Sequence, residues 1–458
     1  MAEKPNFTAR LFQPVNSFSA DAFRMLFGLA MIFQFISFIK FDFIRVGILS
    51  PRFHFTYDFF DFVKPLSPAF LNLLIVLMLA GAFLITINKF YKAGILLFAI
   101  SFSYLFFLDQ SYYNNHFYLI ILLSIILFFY KPVSAKDGNR LIPQWFIRLL
   151  QFQVIVVYFY GGLAKLNHDW LVDCQPMKTL LEVNAANSLF PALLKSNFVV
   201  YYLTYGGIVF DLLIGFLLLY KPVLKVAIIL NIFFHLTNFF IFNLGEGGDI
   251  GIFPLLMIFT NVLFIEPEKL QQLVSKYLRV KAENDAKKQK NKNKTFSHII
   301  DFSSKKNIVL SCLTCYILFQ LLFPFRHFAY PGNTDWTGKA QRFSWRMKVY
   351  VKTGSVRITA KQSANDEPLE MDWKKHINQV QYAAMRDHPE MLLQFADYLK
   401  KLSVQLGFRT IILNAEVQVS MNGRPKQFVV DPSLDLLAVK RNPFKHAEWI
   451  LPLKNNPK

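Results

Sequence analysis

Nine apolar stretches dominate this chain, most of them close to the roughly 20 residues that a helix needs to cross a bilayer. They are residues 18–40, 69–88, 92–108, 115–130, 148–167, 199–220, 223–243, 249–265 and 307–323. Lipid offers a backbone amide no hydrogen-bond partner, so such segments must be helical. The opening segment, MAEKPNFTAR, lacks the layout of a cleaved signal peptide, so the first stretch is expected to remain as an anchor. The expected fold is an all-α polytopic membrane helical bundle of about nine spans, followed by a small α+β extramembrane domain.

A net charge of +20 invites a nucleic-acid reading, but much of the charge lies in loops between apolar stretches. There it reads as membrane topology, with no nucleic acid as partner. With the N-terminus inside, segments 1–17, 89–92, 131–148, 221–225 and 266–306 carry 21 Lys and Arg, and the opposite loops carry 6. This asymmetry puts the N-terminus in the cytoplasm and the C-terminal domain outside. Residues 1–266 are expected to form a bundle, 267–306 a basic cytoplasmic linker, 307–323 the last span and 324–458 the extracytoplasmic domain. The linker's centre, KAENDAKKQKNKNK, is solvated by composition and serves either as a plain inner loop or as a contact for anionic lipid.

The C-terminal third changes character. RMKVYVK and VRITAKQ, around Thr353-Gly354, are expected to be a strand pair. Residues 388–406 show helical periodicity, with Met391, Leu392, Phe395 and Leu399 on one face. Asn422-Gly423 is a hairpin turn between AEVQVSM and KQFVV.

Polar residues inside spans are costly and therefore candidates for function. Lys165, in YFYGGLAKLNHDW, falls near the outer end of the fifth stretch, and His116, in DQSYYNNHFYL, at the outer start of the fourth. Gly161 and Tyr158 share a helix face with Lys165, and Gly162 lets a helix or flat ligand approach. Lys165 either snorkels to the headgroups or acts chemically, and His116 is either a core histidine or a ligand to substrate. His235, Asn238, Glu246, Asp249, Arg326 and His327 gather at the same end. Asp211, mid-way along the sixth stretch, is expected to serve helix–helix structure. Three cysteines cannot form a disulfide framework, and Cys312 and Cys315, one turn apart, read as packing. No dinucleotide fingerprint, P-loop, GxSxG or metal-ligand spacing is present, so no metal is expected.

YNNHFYL, YFYGGLAKLNHDW, GGIVFDLLIGF, FFHLTN…IGIFP, QLLFPFRHFAYPGNTDWTGKAQRFSWRM, HPEMLLQFADYL, VQVSMNGRPKQFVVDPSLDL and WILPL resemble, in order, the vitamin K-dependent γ-glutamyl carboxylases. The chain looks like a short bacterial-type member with the horizontally transferred transmembrane domain, expected in the bacterial inner membrane with its C-terminal domain periplasmic. The resemblance implies an enzyme that oxidises reduced vitamin K, a menaquinol-type hydroquinone, with dioxygen to the 2,3-epoxide. That oxidation drives proton removal from a peptide glutamate, which then takes up carbon dioxide to give γ-carboxyglutamate. It implies Lys165 as the catalytic base and His116 as the histidine of the quinone chemistry. A lysine base must be neutral, and an apolar site disfavours its charged form. Asn115, Tyr158, Gly161, His235, Asn238, Arg326, His327 and Trp345 are the further candidates for quinone or substrate binding. The implied partners are the lipid bilayer and a glutamate-containing peptide or protein. A quinol epoxidase without carboxylation, and a transporter or lipid-binding protein on the same scaffold, are the alternatives.

Overall fold

The computed structural model describes residues 6–135, 139–186, 188, 190–242, 251–278, 305–363, 366–369, 371–408 and 411–454. Helices α1 (Phe18–Lys40), α2 (Pro68–Ile87) and α3 (Tyr91–Leu108) follow one another as long apolar rods. After them come α4 (Asn115–Phe128), α5 (Gln144–Leu163), α6 (Asn197–Leu219), α7 (Leu224–Phe242), α8 (Phe253–Thr260) and α9 (Lys306–Leu322).

Seven helical segments among the described residues are long and apolar enough to cross a membrane, rather than the nine expected. The fourth and eighth stretches are the exceptions. Helix α4 has 14 residues, about 21 Å of rise against a hydrocarbon core of about 30 Å. Its start is fixed by Asn114, whose side chain accepts from the His116 N–H at 3.1 Å. Helix α8 is shorter still and runs on into a 3₁₀ turn, Asn261–Leu263. Apolar composition continues past both helix ends, so composition alone overstates their length.

One end of the bundle carries a three-stranded antiparallel sheet ordered β1–β3–β2, from Pro14–Asn16 (β1), Val133–Ser134 (β2) and Arg140–Pro143 (β3). There Asp21 accepts from Tyr130 at 2.6 Å and from Arg140 at 3.1 Å, and Lys221 pairs with Glu266 at 2.5 Å. Residues Pro267–Leu278, read from sequence as linker, form a helix whose Leu270 is buried. The rest of the linker, 279–304, lies outside the described residues, as do Glu246 and Asp249.

The opposite end is capped by the α+β domain. Strands β4 (Lys352–Lys361), β5 (Ile412–Met421) and β6 (Gln427–Phe428) pair antiparallel in that order, with Val356 opposite Val417. Helices α10 (Gln379–Asp387) and α11 (Glu390–Gln405) complete the domain. Met391, Leu392, Phe395 and Leu399 are all fully buried against the sheet core, as their periodicity requires. The 422–423 turn forms, with Asn422 and Gly423 both left-handed (φ 53° and 76°). The expected strand pair at Thr353-Gly354 does not. Both residues lie within β4, which pairs along its length with β5. Gly354 serves close approach there, since a Cβ would meet the Gln418 carbonyl at 2.0 Å.

The domain is seated on three loops. Gln394 exchanges two 3.0 Å bonds with the Thr56 backbone, Gln381 donates to Asp109 at 2.7 Å, and Arg424 grips Asp169. These are the loops that the basic-residue pattern groups on one side. Cys312 and Cys315 are exposed on α9, and Cys174 is buried.

Candidate active site

Between α4, α5, α6 and α7 and the underside of the domain lies a cavity of about 430 Å³. Its walls include Lys165, Asp211, His116, Asn115, Tyr158, His235 and Asn238. Helix α5 ends inside the protein. Its last turn closes through the Ala164 N–H to Tyr160 O at 2.9 Å and the Lys165 N–H to Gly162 O at 3.0 Å. Gly162 lets α6 in, because a Cβ there would meet the Leu212 nitrogen at 2.9 Å. Asp211 is 14 residues beyond the start of α6, about 21 Å along a helix of 23 residues, so Lys165 meets α6 nearly two thirds of the way along.

Lys165 does not snorkel. Its side chain is 10% exposed, and Nζ donates to Asp211 Oδ2. The Trp170 ring lies 5.3 Å from Nζ and covers it. Gly161 leaves room beside this pair, since its Cβ would stand 3.6 Å from Asp211 Oδ2 and 3.0 Å from Met347 Cε. Asp211, expected to serve helix–helix structure, does bridge α5 and α6, and its partner there is Lys165. A lone acid and a lone base, 46 residues apart, carry no local signal of that pairing.

His116 is half-buried and stacks on Phe253 with centroids 4.8 Å apart, and both its ring nitrogens are buried with no partner among the described residues. His235 is bonded on one side only. Its Nε2 lies 2.7 Å from the Tyr158 hydroxyl, which also accepts from Asn231 at 2.7 Å, and Asn261 donates to Asn231 at 3.2 Å. Its Nδ1 has no partner among the described residues. Buried polar atoms normally find partners, so open imidazole nitrogens on one cavity mark a place for a polar ligand. Asn115 also lines the cavity, but its amide is committed, accepting from Tyr113 at 2.9 Å and donating to Arg346 O at 3.2 Å.

The roof comes from the segment between α9 and β4, through Gln341, Arg346, Met347, Lys348, Val349 and Tyr350, and from His388. Burial, with Arg342 and Lys352 nearby, holds His388 well below its ordinary value, so it faces the cavity uncharged. Sequence reading missed all of these roof residues, because nothing local says that a loop of the soluble domain lies over a membrane site. Three candidates lie elsewhere. Arg326 is tied to Ser344 Oγ at 2.9 Å and to the Arg342 carbonyl. Trp345 is fully buried and stacked on Tyr118 at 4.8 Å. His327 lines a second chamber of about 450 Å³ with Ala164, Asn167, Asp169 and Asp335, and Arg346 borders both chambers. Arg346 is held by a two-point pair with Asp335 at 2.6 and 2.9 Å.

His168, Asp169 and Asp173 bring ligand atoms within 4.8 Å of one another. Both Asp169 oxygens are taken by Arg424, at 2.6 and 2.7 Å, so that group is spent on seating the domain.

A buried lysine–carboxylate pair and two imidazoles with open nitrogens, roofed by an α+β domain, define a polytopic membrane protein with a partly open site inside its bundle. Residues 12–268 match the HTTM domain, and residues 305–456 match the lumenal domain of vitamin K-dependent gamma-carboxylase. The chain belongs to the vitamin K-dependent gamma-carboxylase family. No solved structure matches it.

Proposed function

We propose that this chain is a membrane carboxylase that couples oxidation of reduced vitamin K, as a menaquinol-type hydroquinone, to γ-carboxylation of peptide glutamate. The observation that carries the reading is Lys165, buried against Asp211 in the wall of a cavity that also takes two open imidazoles. The cavity suits a hydroquinone head. It is polar where Lys165, His116 and His235 face it, and apolar where Phe234, Phe253 and Leu203 do. When bound, the hydroquinone supplies the driving chemistry: its oxidation by dioxygen to the 2,3-epoxide and water powers γ-proton removal from the glutamate, whose carbon then bonds to carbon dioxide.

The protein's part is proton handling and enclosure. A proton on Lys165 Nζ can pass to Asp211 Oδ2 across their hydrogen bond, and the neutral amine then takes the hydroquinone's hydroxyl proton. His116 hydrogen-bonds the ring oxygen as charge develops on it. Met347, Val349 and Tyr350 form part of the roof and limit the access of water. The glutamyl side chain arrives from the second chamber, past Arg346. By the charge asymmetry, the site faces the periplasmic side of a bacterial inner membrane.

The test gives purified full-length protein reduced vitamin K, a glutamate-containing peptide and labelled bicarbonate, and follows epoxide and peptide label together. Both are expected. Epoxide without label makes the chain a quinol epoxidase. Neither product, from protein that melts cooperatively, leaves a non-enzymatic transporter or lipid-binding role.

A further inference from the structure

Helices α6 and α7 do not close against each other along their length. Between them runs an almost wholly apolar groove of about 210 Å³, walled by Leu213, Leu217 and Leu230 among others. Leu213, Leu230 and Phe233 are exposed on the bundle's outer face, so the groove opens toward lipid. At its other end it shares Leu203, Gly207 and Phe234 with the active-site cavity. Phe234 stacks on Phe210 with centroids 3.8 Å apart, and Phe210 in turn meets Tyr158 and His235 edge-on. One aromatic wall therefore runs from the groove to the site's hydrogen-bonded core.

The glycines at the junction explain themselves only if something passes there. Gly162 on α5 is required by packing, because a Cβ would strike Leu212. Gly206 and Gly207 on α6 are not, because a Cβ on either would meet nothing within 4 Å. Glycine costs a helix stability, and here no close helix contact offsets that cost. The open space beside them leads to the cavity where His235 Nδ1, on a residue 2% exposed, lacks a partner among the described residues.

We propose that this α6–α7 groove is the binding track for the isoprenoid tail of the quinol, entered from the lipid side and passing Gly206 and Gly207 to reach the site. The proposal rests on the quinol reading above. From Leu203 to Leu217 the groove follows α6 for about 21 Å, enough for several isoprenoid units. An apolar chain is recognised there by burial, which accounts for a track that is almost wholly apolar.

Photo-crosslinking tests the track without needing turnover. The full chain in nanodiscs is given a menaquinone analogue with a diazirine on its second isoprenoid unit, and labelled peptides are mapped by mass spectrometry. Label is expected on residues 202–217 and 230–237, and excess unlabelled menaquinone should compete it away. Label spread over other lipid-facing helices, or unaffected by the competitor, overturns the proposal and leaves ordinary lipid as the occupant. A second arm uses Gly206→Leu, which fills the groove outside the cavity. The ratio of kcat/KM for a long-tailed to a short-tailed hydroquinone should fall at least tenfold, and an unchanged ratio overturns the proposal. Should the wild type form no epoxide from any hydroquinone, the carboxylase reading fails while competed labelling still reports the track.

Discussion

Lys165 reaches across the α5–α6 contact to Asp211, and both side chains of the pair are buried. Among the described residues neither side chain has a second ion-pair partner, so each depends on the other. This turns a position that sequence leaves open between snorkelling and chemistry into one half of a buried ion pair.

Three Lys165 variants separate structure from chemistry. Lys165→Arg keeps the charge and can still pair with Asp211, but a guanidinium keeps its proton at any working pH. It should fold and form no epoxide. Lys165→Ala strands Asp211, and removing one partner of a buried pair costs about 3–5 kcal/mol, so this variant should also melt early. Lys165→Met with Asp211→Leu removes both charges, and should recover stability while staying inactive. Epoxide formation at the wild-type rate by the Arg variant would end the general-base assignment.

His116 calls for the opposite pattern. A structural histidine holds partners, and its loss leaves them orphaned. His116 has none among the described residues and stacks on Phe253. His116→Phe should therefore melt at or above the wild-type temperature. Hydroquinone turnover should drop by about 10²–10³, the usual worth of one hydrogen-bond donor to a developing charge. Normal turnover in the variant makes His116 a packing residue.

The order of apolar stretches, the α11 face and the 422–423 turn were legible because each is written in local periodicity or turn chemistry, and the loops that hold the domain were grouped by their few basic residues. Helix length was not, because α4 stops at Phe128 inside a stretch that stays apolar to Tyr130. Gly354 misled for a similar reason: a glycine that serves cross-strand contact looks, in sequence, like one that turns the chain. At the site, Lys165 and His116 stood out as expensive residues in apolar surroundings. Asp211 stood out equally, but its partner depends on how α5 packs against α6, which no local pattern records. The roof residues from Gln341 to Tyr350 lie in a loop with no periodicity to read.

The clamp between Asp169 and Arg424 ties the domain's hairpin to the segment just after Lys165, so it should hold the roof in register. Burial works against the Asp169 charge, but hydrogen bonds from Arg424 and Asn422 outweigh it and keep the carboxyl below its ordinary value. A carboxyl lowered by folding adds stability above its unfolded value, about 3.9, and loses it as pH falls through the folded one. Domain seating should thus be unaffected from pH 5 upward and weaken below about pH 4. Arg424→Ala should loosen residues 165–171 in hydrogen exchange and lower epoxidation about tenfold or more, since small misplacements near a reacting group are costly. Unchanged exchange there would show that other contacts seat the domain alone.

The last prediction concerns sidedness. Thr56, Asp109 and Asp169 all bond the C-terminal domain, so the loops that hold them share its side of the membrane. The β1–β3–β2 sheet and the Lys221–Glu266 pair lie at the other end, in segments that carry most of the 21 basic residues. Basic loops stay in the cytoplasm, so the domain should be outside. The structure makes this one decision rather than several, because every loop that touches the domain must follow it across. A reporter active only in the periplasm, fused after residue 458, should give signal, and the same reporter fused near Lys290 should be silent. The reverse pair of signals would place Lys165 and its roof on the cytoplasmic side, and the glutamate substrate would then have to be an intracellular protein.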